Sequence, residues 1–162
     1  MNPTGIGVKK ENTYFRDIGL WSRHRKYGKF LYWCNADRIY YRFVKGKIEL
    51  VAIIDEKSVQ SSGALRNYKI QNLSNSIMVQ KTVSDLCGIP FWVLAYTVDH
   101  RQFRMLPVNE SARGLGINGG VMSEVELVKV LWGLYGVNTE GHRDFESICG
   151  LFGAEGTIKE EH

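Results

Sequence analysis

The residues best suited by type and spacing to do chemistry are an acid and a lysine two positions apart, Asp55 and Lys57, with a second acid, Asp37, upstream. In a β-strand, residues i and i+2 project from one face, about 6.6–6.8 Å apart along the chain. Asp55 and Lys57 therefore share a face, and Glu56 opposes them. The run before them, Leu50 to Ile54, is continuously apolar, as expected of a strand covered on both sides. A carboxylate and an ammonium leaving such a strand together suit phosphodiester hydrolysis. The carboxylate holds a hard divalent cation, Mg²⁺ with Mn²⁺ able to substitute. The lysine orients the attacking water or offsets charge growing on the phosphate. Spacing alone does not decide this. With 17 acids and 11 lysines in 162 residues, about one acid-x-lysine pair arises by chance. A strand-end ion pair facing solvent is the competing reading.

One carboxylate binds Mg²⁺ poorly, so a second must be near. The segment Phe30–Phe43 is aromatic and rich in strand formers, and Val44-Lys45-Gly46-Lys47 is a turn with glycine where positive φ is easily adopted. A hairpin turning at Lys45-Gly46 brings positions whose numbers sum to about 91 opposite one another. Asp37 then faces position 54, beside Asp55. Asn35-Ala36-Asp37 also has turn character, which leaves Asp37 open to a purely local role. Glu49 shares parity with Asp55 but lies about 20 Å away along an extended strand and reads as a surface residue.

The elements that must position these residues follow from periodicity. A first helix is expected from about Asn12 to Lys26, stopped near Gly28. A second is expected from about Gln71 to Leu86, ended by Cys87-Gly88. Ile89–Val98 and Phe103–Val108 read as a strand pair joined across Asp99-His100-Arg101-Gln102. Ser123-Glu124-Val125-Glu126 is a capping box opening a third helix. The order is helix, three strands, helix, two strands, helix, an α/β arrangement around a mixed sheet. Residues 1–137 are expected to form one domain, and 138–162 a partly flexible C-terminal extension holding the short amphipathic patch Asp144–Phe152.

The formal charge is +4 and the pI about 9.0. This is compatible with a polyanionic partner without requiring one. Cations are bunched in the front half, at Arg23, Arg25, Lys26 and Lys29 and at Arg38, Arg42, Lys45 and Lys47. The helix end Trp21–Tyr27 carries aromatics among its cations. Arg23, His24, Arg25, Lys26 and, on the hairpin, Arg42 are the candidate phosphate contacts. The competing reading is a solvated helix end whose cations complement the helix dipole. Three widely spaced cysteines without a CxxC argue against a disulfide framework or a cysteine zinc site, and favour free thiols in a reducing compartment. Neither a signal-peptide core nor a membrane span is evident, so a soluble, cytoplasmic protein is expected. Gly114–Gly119 matches GxGxxG by letter but follows no strand directly, and reads as a loop before the third helix. The four histidines lack ligand spacing, which excludes a histidine zinc site.

Taken together, an acid, a hairpin, Asp55-Glu56-Lys57 on a buried strand, then a helix and another strand resemble the core of the PD-(D/E)xK, or restriction-endonuclease-like, nucleases. Cys87-Gly88-Ile89-Pro90 opening the next strand, with Phe103–Val108 after it, is similar more narrowly to archaeal-type and phage Holliday junction resolvases. The resemblance covers roughly residues 10–110. It implies a central mixed five-stranded sheet flanked by helices, and a metal held by Asp37, Asp55 and the backbone carbonyl of Glu56. It implies Lys57 as the catalytic lysine and a helix acid at Glu11, with Asp17 as the alternative. The chain departs from the family in using Asp55 where glutamate is commoner, in lacking a proline before Asp37, and in having a longer hairpin. The expected activity is Mg²⁺-dependent, structure-specific cleavage of branched or double-stranded DNA, foremost the resolution of four-way (Holliday) junctions, by a homodimer whose interface would be the Phe145–Phe152 patch or the Trp132–Tyr135 helix. The alternatives are a restriction-type or single-strand nuclease on the same core, and a non-catalytic nucleic-acid-binding module.

Overall fold

The computed structural model describes residues 23, 26–27, 32–34, 38–70 and 75–153. They form a mixed α/β structure around an open, mixed sheet. Its four longer strands are β2 (Ile39–Val44), β3 (Lys47–Val59), β4 (Phe91–Thr97) and β5 (Phe103–Pro107), adjacent in that order. A three-residue strand, β1 (Tyr32–Cys34), pairs with β2 on its outer edge. β2 and β3 are antiparallel, β3 and β4 parallel, β4 and β5 antiparallel. The helices are α1 (Ser62–Asn67), α2 (Asn75–Cys87), α3 (Glu110–Arg113), α4 (Glu124–Leu134) and α5 (Arg143–Cys149). None of the described helices is long and apolar enough to cross a membrane.

The β2–β3 turn follows its sequence. Lys45 and Gly46 both take positive φ, 50° and 76°. This is the two-residue primed turn whose twist matches the flanking strands. From the turn inward the register is Val44↔Lys47, Phe43↔Ile48, Arg42↔Glu49 and Tyr41↔Leu50. It then shifts by one, to Tyr40↔Ala52 and Ile39↔Ile53. Val51 is the extra residue, a β-bulge that turns the hairpin arm relative to the rest of the strand. β3 is also longer than its apolar run implies. It continues two residues beyond Lys57, so Asp55 and Lys57 lie within the paired strand, opposite Val93 and Ala95.

A parallel pair is stable only when both faces are covered, and the two faces of β3 and β4 bury different clusters. On one side, Ala52, Ile54, Trp92, Leu94, Phe103 and Met105 pack against α4 and α5 through Leu127, Leu131, Trp132, Phe145 and Ile148. On the other, Ile53, Phe91 and Val93 pack with Ile77 of α2, Ile89 and Val108. Phe145, Ile148, Trp132 and Tyr135 are therefore turned inward, and neither segment expected to mediate dimerisation presents these side chains to a partner.

α2 ends as its sequence requires. Gly88 takes φ +66°. The Ile89 N–H donates to Ser84 O (2.9 Å) and the Gly88 N–H to Asp85 O (3.2 Å), the paired bonds of a Schellman stop. The crossover is then locked by Asn109, a buried residue that sequence periodicity did not single out. Its Oδ1 accepts from the N–H groups of Phe91 and Ala112, both at 3.0 Å. Its Nδ2 donates to Ser84 Oγ, Asp85 Oδ1 and Ile89 O. One side chain thus ties the end of α2, the start of β4 and the first turn of α3. Asn109→Ala is expected to lower unfolding free energy by about 2–3 kcal/mol, because several buried polar groups lose their partner together; a urea titration checks this.

Candidate functional site

Strand parity places Asp55 and Lys57 on the α2 face of the sheet, in line with Ile53. Asp55 is 8% exposed. The Lys57 side chain is 41% exposed, and its Nζ lies 2.8 Å from Asp55 Oδ2. The contact is ionic without hydrogen-bond alignment, and among the described residues no well-aligned donor reaches that buried oxygen. A nearly buried carboxylate with one oxygen held only by an ammonium keeps lone pairs for a further cation.

Tyr68 borders the pair. Its half-buried hydroxyl is raised above the ordinary tyrosine range, first by burial, with Asp55 adding to the shift and Lys57 opposing it. The backbone there is fixed by Arg104, which projects from β5 on the same side. Its Nη1 donates to the carbonyls of Leu65 (2.8 Å), Arg66 (2.8 Å) and Tyr68 (3.2 Å) as α1 ends, and its Nε to Gly119 O (2.6 Å). Arg104 thereby supplies a donor to the last carbonyls of a short helix. It also anchors the Gly114–Gly119 loop, which passes over β5 and leads into the Phe103↔Met122 bridge. Tyr68 and Arg104 were not legible as site residues, since nothing local marks a side chain whose partners lie 36 to 39 positions away.

Glu56 points to the opposite face, as its parity requires. It forms an ion pair with Arg38 (2.6 Å), both side chains largely buried. Tyr40 lies against that pair and is held well above the ordinary tyrosine range, mainly by burial and then by the negative charge of Glu56, with Arg38 opposing. The two adjacent acids of the strand therefore sit in different surroundings. Glu56 is neutralised internally, while Asp55 meets the outer edge of the second core.

The other expected site residues separate into three groups. Asp37, Glu11, Asp17, His24 and Arg25 lie outside the described residues. Arg38, covalently next to Asp37, accepts through its carbonyl from the Ile54 N–H at 3.1 Å. Arg23 is buried rather than offered to phosphate: its Nη1 donates to the buried Glu124 carboxylate at 3.0 Å, and Tyr27 donates to the same carboxylate. Arg42 is held by Glu49 through two bonds, at 3.1 and 2.7 Å, and donates from Nη1 to Tyr135 O at 3.1 Å. Lys26 is exposed. Among the described residues, no three His, Cys, Asp or Glu side chains are grouped to hold a metal ion.

No protein-family model, curated protein or solved structure matches this chain.

The buried tyrosines give this region a pH dependence of known sign. Tyr27 and Tyr40 are both raised above the unfolded value, Tyr27 first by burial and then by Glu124. Above pH about 10 the unfolded chain releases these protons while the folded chain retains them. The contribution of these two tyrosines to stability is thus fully present below pH about 10 and is lost as pH rises beyond it. Tyr40→Phe is expected to flatten that alkaline decline, and thermal melts between pH 8 and 11 would measure it.

Proposed function

We propose that this chain is a Mg²⁺-dependent endonuclease of the restriction-endonuclease-like type that hydrolyses phosphodiester bonds in branched DNA, with four-way junctions as its substrate. The observation that carries the reading is the pair formed by the nearly buried Asp55 and the partly exposed Lys57, on a strand paired antiparallel on one side and parallel on the other. The order of three antiparallel strands, a helical crossover and a parallel fourth strand supports the same core. So does the Ile54–Arg38 bond, because the expected second ligand, Asp37, immediately precedes Arg38 in the sequence.

In this reading Asp55, Asp37 and the Glu56 carbonyl hold the cation. Asp55 fits that duty because its Oδ2 is buried yet, among the described residues, lacks an aligned hydrogen bond. The metal, when bound, supplies Lewis-acid stabilisation of the phosphate and a more acidic water. Lys57 holds Asp55 in place and, through a side chain long enough to swing outward, meets the charge that grows on the phosphate oxygens. Tyr68 and Arg104 shape the rim beside them. Two coordinated incisions in a four-way junction call for a two-fold homodimer, so the active species is a pair of these chains.

A second reading has one observation in its favour. Lys57 already offsets the charge of Asp55, which suits a nucleic-acid-binding module with no catalysis.

Cleavage of an end-labelled four-way junction beside linear duplex and single strand, in Mg²⁺ and in EDTA, separates these readings. Symmetrical, metal-dependent nicks at the junction are expected, falling by about 10²–10³-fold or more in Asp55→Asn and in Lys57→Ala. Equal cutting of linear DNA or of single strands would keep the nuclease and remove the junction specificity. Binding without cutting in Mg²⁺ or Mn²⁺ would establish the non-catalytic module instead.

A further inference from the structure

The hairpin arm beyond the Val51 bulge has two dissimilar faces. Arg42 and Glu49 pair on the side of α4, where Arg42 reaches Tyr135 O. The opposite side carries Tyr41, Phe43, Ile48 and Leu50, brought together by the pairs Tyr41↔Leu50 and Phe43↔Ile48 and by an edge-to-face contact of the two rings at 5.7 Å. Phe43 is 56% exposed, Ile48 63% and Leu50 38%. Counting alternate residues back along β2, this face continues into Ile39, which packs in the cluster with Ile53. It is therefore the face that bears Asp55 and Lys57. Without the bulge, Ile48 and Leu50 would have the parity of Ala52 and Ile54 and would turn to the other side.

An aromatic and aliphatic patch on an antiparallel ribbon is a sequence-tolerant platform for nucleobases, since every base has a π-face. Its rim is cationic. Lys45 at the turn and Lys47 at the start of β3 are exposed, as are Arg66 and Lys69 on either side of Tyr68. The patch begins about 16 Å from Asp55 at Leu50 and reaches about 23 Å at Ile48, taking about 3.3 Å per strand residue. That is about five to seven stacked nucleotide steps at 3.4 Å each. A second copy of the chain fits less well. Four side chains at these exposures offer at most about 400 Å², roughly half of the ~800 Å² per partner in a stable interface.

We infer that the Tyr41–Phe43–Ile48–Leu50 face of the hairpin arm binds unpaired nucleobases of a DNA strand that continues to the phosphate at Asp55. This deepens the nuclease reading and rests on it for the position of the reacting phosphate. The ribbon is then the element that distinguishes branched or frayed DNA from continuous duplex.

The test is fluorescence anisotropy of the full chain in EDTA. Its probes are a labelled four-way junction, a fork with single-stranded arms, and a blunt duplex of equal length. Phe43→Ala and, separately, Ile48→Ser are expected to weaken the fork and junction by about ten-fold while leaving the duplex within two-fold. Phe43→Trp is expected to retain binding and to show quenching on addition of the fork beyond that of the four native tryptophans in wild type. Equal affinity of wild type and both variants for the fork, with no such added quenching in Phe43→Trp, would overturn the inference. So would a shift from dimer to monomer in the variants, seen by sedimentation, with fork binding unchanged, since the face would then join two copies. Base binding that persists in a chain unable to cleave would uphold the platform and remove the nuclease. Cleavage that persists with Phe43→Ala binding the fork as wild type does would remove only the platform.

Discussion

The parallel pairing of β3 with β4 is the constraint on which the rest of this structure depends. A parallel pair cannot be closed by a tight turn and cannot leave a face wet. The chain must therefore travel through α1 and α2 between the two strands, and must cover β3 and β4 from both sides. The two apolar clusters, the Schellman stop at Gly88 and the Asn109 junction all serve that return path. Asp55 is nearly buried because it lies where this double coverage ends, and Lys57 is half exposed because it lies one step farther out.

The same strand keeps its charges apart by parity. Had Glu56 and Asp55 shared a face, two carboxylates would have competed for one set of cations, raising the cost of holding either ionised. Instead Arg38 neutralises Glu56 against the α4 side, and among the described residues the ion-pair partner of Asp55 is the partly exposed ammonium of Lys57. An ammonium on a flexible stem is easily displaced or shared, unlike a buried guanidinium. That difference is why the proposed metal-binding role falls to the side chain of Asp55 rather than to that of Glu56. The Val51 bulge extends the logic by bringing the apolar side of the hairpin arm onto the Asp55 face.

Local chemistry made much of this legible. Lys45-Gly46 specified the turn, and its register held from Val44 to Tyr41. The Cys87-Gly88 stop and the Ser123–Glu126 capping box appear where turn and cap preferences place them. What was not legible is non-local. The bulge depends on how Val51 packs against the main core, so the register moves by one at Tyr40. α1 is six residues capped by Ser61 within a stretch that reads only as polar. Arg104 and Asn109 look like ordinary strand and loop residues until their distant partners are known. Arg23 was expected on phosphate because its neighbours are basic, yet Glu124 draws it inward. A charge cluster in sequence does not reveal which of its members finds a buried counter-ion.

The central claim is that Asp55 is a metal ligand completed by Asp37. The most direct measurement is Mn²⁺ binding followed by electron paramagnetic resonance, with junction DNA present, on wild type, Asp55→Asn and Asp37→Asn. The account predicts stoichiometric binding in wild type that weakens by at least ten-fold in each variant while the DNA stays bound. Mn²⁺ binding indifferent to both substitutions, or absent from wild type, would contradict it and leave Asp55–Lys57 as a structural ion pair.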